Sequence, residues 1–109
     1  MTLSAHVLDG TLGRPAADVS VLLERRRGDG TWTEIATGLT GPDGRLDKLG
    51  ELAEGVHRLT FGTGAYFAAR GVDCFYPEVA VTFQVTYPGE HYHVPLLLSP
   101  FAYSTYRGS

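Results

Sequence analysis

The chain has 109 residues, of which 43% are hydrophobic and 19% charged, and its net charge is −3. These values are typical of a globular unit with one core, so we predict a single domain over residues 1–109. The slight acidity disfavours a nucleic-acid partner, and no apolar run reaches the roughly 18 residues that a membrane-spanning helix requires.

Alternating apolar and polar residues predict strands through most of the chain. In the first part these are LSAHVLD, VSVLLERR, TWTEIATG and GVHRLTFG. Turns rich in glycine and proline separate them, and GDGT predicts a tight hairpin between the second and third. The segment TGPDGRLDKL predicts a turn followed by at most a short strand that carries Arg45. His57, within GVHRLTFG, is predicted to lie on the surface.

The second part of the chain begins with the one predicted helix, GAYFAARG, which Gly71 should end. Three further strands are predicted in EVAVTFQVTY, HYHVPLLLS and AYSTYR. Seven or eight short strands with frequent turns and one brief helix predict an all-β fold. The expected architecture is an antiparallel β-sandwich of about eight strands.

The single cysteine, Cys74, cannot form an internal disulfide, which indicates a reducing, cytoplasmic compartment. The opening MTLSAHVLDG lacks the basic segment and the long apolar stretch of a signal peptide, which favours the same location. The apolar neighbours of Cys74 predict an inert, half-buried thiol.

Several reactive side chains are predicted to share the non-core face of a sheet. In the first strand, His6 alternates with the apolar residues Leu3, Ala5 and Val7. In HYHVPLLLS, the predicted core set is Tyr92, Val94, Leu96 and Leu98, and the opposite set contains His91, His93 and Leu97. Because imidazoles and leucines share this face, we predict a binding cleft that a second subunit completes.

The pair His91 and His93 raises the alternative of a metal site, because residues i and i+2 of a strand point the same way. His6 could supply a third ligand only if its strand neighbours theirs. The lack of cysteine and carboxylate on that face favours a metal-free site. Ser104 and Ser109 are possible nucleophiles, but no Gly-x-Ser-x-Gly turn surrounds either.

Four stretches carry a resemblance to a known family: LSAHVLDGTLGRPAADVSVLLER, TGPDGRL, FYPEVAVTF and HYHVPLLLSPFAYSTYRGS. They resemble the 5-hydroxyisourate hydrolases, the transthyretin-related proteins of urate degradation, over nearly the whole chain. The ending YRGS separates these hydrolases from the thyroid-hormone carrier, which shares the LLSPxxYST part. The resemblance implies a transthyretin-like sandwich of two four-stranded sheets with a short helix after the fifth strand. It also implies a homotetramer, a dimer of dimers with active sites in a central channel.

The resemblance further implies the site and its substrate. The implied catalytic residues are His6, Arg45, His93 and Ser109, and the implied substrate-binding residues are His6, Arg45, Tyr106 and Arg107. The implied reaction is hydrolysis of the cyclic amide of 5-hydroxyisourate to 2-oxo-4-hydroxy-4-carboxy-5-ureidoimidazoline, without a cofactor or metal.

The residue types suit that reaction. A neutral His93 near its unperturbed pKa would take a proton from water, and the planar cation of Arg45 would hold ring carbonyl oxygens. His6 would orient the substrate or return a proton to the leaving nitrogen, and Tyr106 would pack against the ring. The competing hypothesis is a carrier of a hydrophobic small molecule. Arg45, His93 and the YRGS ending disfavour it, because a carrier channel needs apolar walls.

Overall fold

The computed structural model describes residues 3–47 and 49–109, so Met1, Thr2 and Lys48 of the predicted domain lie outside the described residues. In these residues the chain forms nine strands and one helix. They are β1 (Leu3–Asp9), β2 (Arg14–Pro15), β3 (Ser20–Arg26), β4 (Trp32–Leu39), β5 (Arg45–Leu46), β6 (Gly55–Phe61), α1 (Thr63–Ala69), β7 (Val79–Val85), β8 (Tyr92–Ser99) and β9 (Ala102–Thr105).

The strands form two sheets. One has the order β2-β1-β8-β9, with β5 also paired to β1, and the other has the order β4-β3-β6-β7. All pairs are antiparallel except β1 and β8, which run parallel from Leu3 opposite Tyr92 to Asp9 opposite Leu98. The predicted all-β sandwich with one short helix is confirmed.

Residues that alternate along the strands fill the space between the sheets. The buried set includes Leu3, Ala5 and Val7 of β1, Val21 and Leu23 of β3, Leu59 and Phe61 of β6, and Tyr92, Val94, Leu96 and Leu98 of β8. Both predicted core sets, in the first strand and in HYHVPLLLS, are therefore confirmed. The hydrophobic effect, which favours removal of these apolar side chains from water, is the main contribution to the packing of the two sheets.

The prediction that His57 lies on the surface is wrong. Its side chain is 1% exposed, because it lies on the same face of β6 as the buried Leu59 and Phe61, the face that packs on the other sheet. Its ring stacks on Phe83, with 5.8 Å between centroids, and its Nδ1 lies 3.2 Å from the carbonyl oxygen of Gly55. Burial lowers the pKa of His57, which keeps the ring neutral.

One other expectation changes in detail. The helix follows the sixth strand instead of the fifth, because Arg14–Pro15, in the predicted turn after the first strand, forms a short strand that pairs with β1. Gly71 adopts a φ of +69° directly after the helix C-cap, as the predicted stop requires. Cys74 is half-buried, as predicted. Within the described residues, no helix has the length and apolarity needed to cross a membrane.

Candidate active site

The parallel pairing of β1 with β8 brings the histidines of the two strands onto one patch. His6 lies opposite Pro95, and His93 lies opposite Ser4 on the neighbouring strand. Both rings are half-buried on the outer face of the sheet, away from the core residues that alternate with them. Because β1 and β8 are neighbours, His6 and His93 can belong to one site.

A short turn carries Arg45 to this patch. Arg45 pairs with His6 across β1 and β5, and its backbone N–H donates to Oδ1 of Asp43 at 3.0 Å. Gly44 fixes the turn against β1: its carbonyl accepts from the Val7 N–H at 2.8 Å, and its φ of +77° favours glycine. A Cβ there would also lie 3.0 Å from Cβ of Pro15. The guanidinium is exposed beside the histidines.

The same turn orients His6. The Nε2–H of its ring donates to the carbonyl oxygen of Asp43 at 3.0 Å. This bond places the ring proton of a neutral His6 on Nε2 and leaves Nδ1 as the acceptor.

The pKa of His93 is lowered, chiefly by burial and then by the positive charge of Arg45 and by His6 and His91, while Asp47 acts in the opposite direction. We expected a pKa near the unperturbed value for His93, whereas its surroundings lower the pKa. The shift favours the neutral ring at neutral pH, which is the form that can accept a proton.

The C-terminal segment folds back onto His93. Strand β9 ends at Thr105 instead of continuing to Arg107 as predicted, and an isolated bridge then joins Gly108 to His93. The Gly108 N–H donates to the His93 carbonyl at 2.9 Å. The bridge to His93 places the YRGS ending beside the histidine patch. Ser109, the next residue, is exposed.

Tyr106 and Arg107 both border a pocket of about 260 Å³ that His93 also lines. Its remaining lining includes Val81, Phe83, Val94 and Thr105. The guanidinium of Arg107 stacks 4.5 Å from the ring centroid of Tyr92 and lies 3.4 Å from Glu90. These contacts hold Arg107 at the sandwich edge, whereas Tyr106 is 59% exposed.

Sequence reasoning missed Ser4, whose Oγ lies 2.7 Å from Nδ1 of His93 and 3.1 Å from Nε2 of His91. The sequence contained the signal, because Ser4 and His6 are two residues apart in one strand and therefore point to the same face. Within residues 3–47 and 49–109, no three His, Cys, Asp or Glu side chains form a group that could hold a metal ion.

This fold and patch define a transthyretin-like sandwich with titratable groups on one sheet. Residues 3–108 match the model of the HIUase/Transthyretin family. A 5-hydroxyisourate hydrolase of Salmonella typhimurium is 48% identical over 110 residues, which cover 98% of this chain and 80% of that protein. The chain belongs to the HIUase/Transthyretin family.

Solved structures agree with that assignment. The 5-hydroxyisourate hydrolase of Klebsiella pneumoniae superposes with a TM-score of 0.88 at 37% identity, over 100% of both chains. Sea bream transthyretin in complex with thyroxine superposes with a TM-score of 0.93 at 35% identity, over 99% of this chain and 95% of that one. The predicted transthyretin-like fold is confirmed.

Proposed function

We propose that the protein hydrolyses the cyclic amide of 5-hydroxyisourate to 2-oxo-4-hydroxy-4-carboxy-5-ureidoimidazoline. The observation that carries this proposal is the convergence of His6, Arg45 and His93 on one patch against which the YRGS ending folds. The name and 48% identity of the Salmonella relative support the same substrate.

In the proposed mechanism His93 is the general base. Amide hydrolysis needs a water molecule to lose a proton as it attacks the carbonyl carbon, and a neutral imidazole can take that proton. The lowered pKa of His93 keeps the ring neutral at the pH of a cell, so the base is present in its active form. Because Nδ1 of His93 contacts Ser4, Nε2 is the nitrogen assigned to the water.

Arg45 is assigned to the carbonyl oxygen on which negative charge develops. Its guanidinium is permanently charged and offers donors in a fixed plane, which suits both the ring carbonyls and the oxyanion. His6 is assigned to orienting the substrate, since its Nδ1 can accept a hydrogen bond from a ring N–H while the Nε2–H is held by Asp43. The proton that His93 takes from water passes to the leaving nitrogen. Water is the only co-reactant that this chemistry requires.

The C-terminal segment is assigned to substrate binding. The exposed ring of Tyr106 would cover one face of the planar substrate, and Arg107 would hold the segment through Tyr92 and Glu90. Ser109 is assigned to the attacking water, because it follows the residue that is bridged to His93.

We further propose that the protein works as a homotetramer, a dimer of dimers. Strands β8 and β9 and the turn between them carry large side chains that are well exposed in one chain: Leu97 at 40%, Phe101 at 69% and Tyr103 at 41%. A patch of this kind is typical of a surface that another subunit covers. Light scattering after size exclusion tests the assembly, and a monomer at working concentration would refute it.

We also propose a reducing, cytoplasmic location, which fits the half-buried Cys74 that forms no disulfide.

The test of function is turnover of freshly generated 5-hydroxyisourate, followed by its ultraviolet absorbance against the spontaneous rate. We expect the wild type to accelerate the decay and His93→Ala to lower kcat by about 10²–10⁴-fold, the usual contribution of a positioned acid–base group. Arg26→Ala, at the exposed end of β3 in the other sheet, is the control. A wild type that leaves the spontaneous rate unchanged would refute the assignment.

The likeness to thyroxine-bound transthyretin favours a second candidate, a carrier of a hydrophobic small molecule. The titratable patch disfavours it, because a buried apolar ligand would desolvate Arg45 and the histidines without pairing them. Calorimetric titration with thyroxine separates the two candidates. Tight binding together with no turnover would favour the carrier.

A further inference from the structure

Ser4 lies within the histidine patch and contacts Nδ1 of His93, but the mechanism above gives it no role of its own. It is the direct partner of His93 in the parallel register of β1 and β8, and it is only 5% exposed. A hydroxyl that is buried to this degree must use its proton in a hydrogen bond, because an unpaired polar group away from water is costly.

The two ring contacts of Ser4 constrain where the protons are. Its Oγ lies 2.7 Å from Nδ1 of His93 and 3.1 Å from Nε2 of His91. The hydroxyl has one proton to donate and two lone pairs to accept, so it cannot donate to both rings. At least one of the two ring nitrogens must therefore donate to Oγ for both contacts to be hydrogen bonds.

The proposed reaction selects between the arrangements. A neutral imidazole that accepts a proton at Nε2 must carry its own proton on Nδ1. His93 would then donate from Nδ1 to Oγ of Ser4, and Ser4 would donate onward to Nε2 of His91. In this arrangement each of the two contacts of Ser4 has one donor and one acceptor.

We propose that Ser4 is a positioning residue that holds His93 in the Nδ1–H tautomer and presents its Nε2 to the water. The proposal rests on the hydrolase function. When Nε2 gains a proton, the Nδ1–H bond to Ser4 becomes charge-assisted and stabilises the imidazolium. This opposes the effect of the neighbouring positive charges, so loss of Ser4 should lower the kinetic pKa further.

Ser4→Ala replaces none of the charged and titratable residues around His93. His6 faces it from β1, Arg45 and Asp47 from β5 and the following residue, and His91 from the position before β8. Tyr106 and Arg107 border the same pocket from the C-terminal segment. A shift in the pH profile of Ser4→Ala therefore reports on the Ser4 contact itself.

The experiment measures the ring ¹⁵N shifts of His93 without substrate and, separately, kcat against pH. The proteins are wild type, Ser4→Ala, Ser4→Thr and the control Ser99→Ala, which removes a serine hydroxyl bond elsewhere in the same sheet. We expect the Nδ1–H pattern in wild type, Ser4→Thr and Ser99→Ala, and a gain of the Nε2–H pattern in Ser4→Ala. We also expect Ser4→Ala to lose about tenfold in kcat, with its acid limb at lower pH.

The outcomes separate this proposal from the proposed function. An Nε2–H pattern in the wild type, or identical spectra and pH profiles in wild type and Ser4→Ala, would overturn the role of Ser4 even if hydrolysis is confirmed. A wild type that does not hydrolyse 5-hydroxyisourate refutes the function, and with it the catalytic role of Ser4. If Ser4→Ala does not fold, the wild-type spectrum decides, since the Nε2–H pattern alone refutes the proposal.

Discussion

Replacing Gly108 with alanine would place a methyl group against the ring of His93. An ideal Cβ at this position lies 3.1 Å from Cγ and 3.3 Å from Cβ of His93, and closer still to Cδ2. Carbon atoms in favourable contact are about 3.5–4.0 Å apart, so the contact with Cδ2 requires the ring and the segment to separate by at least about one ångström. Gly108 is therefore the residue that lets the C-terminal segment lie directly on the proposed base.

The expected effect is large on turnover and small on folding. A displacement of about 1 Å in a catalytic group can cost about 10²-fold in rate, and we expect a loss of this order in kcat for Gly108→Ala. The bridge between Gly108 and His93 lies beyond the end of β9, so the strands of the sandwich remain complete. The melting temperature should fall by only a few degrees, in line with about 1 kcal/mol in a small domain.

The assay compares kcat, KM and thermal unfolding of wild type, Gly108→Ala and Gly28→Ala. Gly28 is a matched control, because a Cβ there meets no atom within 4 Å and its backbone needs no positive φ. Gly28→Ala should keep wild-type turnover. Gly108→Ala with wild-type kcat would show that the segment does not set the position of His93.

Three further predictions follow from the site and the core. Arg45→Lys keeps the charge but loses the planar donors, so kcat/KM should fall at least about tenfold, while the control Arg26→Lys has no effect. An unchanged kcat/KM would show that only the positive charge of Arg45 matters. His57 has a lowered folded-state pKa, so stability is full above the unfolded pKa of about 6.5 and is lost as the pH falls through the folded value. Urea unfolding of His57→Phe between pH 7 and pH 5 should therefore show a shallower loss than wild type, and equal slopes would contradict this. Prolonged chelation should leave turnover intact, whereas loss that zinc restores would favour the alternative in which His6, His91 and His93 bind a metal.

Alternation along the chain determined most of the secondary structure and the core. It placed Leu3, Ala5 and Val7 inside and His6 outside, because side chains of a strand point to opposite faces with a period of two. The same rule should have placed His57 inside with Leu59 and Phe61. A histidine can occupy such a buried position when its ring has partners, as His57 has in Phe83 and the carbonyl oxygen of Gly55.

Only the tertiary structure decided which of the candidate residues lie together in one site. The contacts of Ser4 with His91 and His93 join residues 87 and 89 positions apart, and they exist because β1 pairs with β8 in parallel. Periodicity is a local property of the chain and does not specify which strands become neighbours or in what register. The return of Gly108 onto His93 likewise depends on β9 ending at Thr105, which pairing with β8 sets and which the alternating sequence AYSTYR does not reveal.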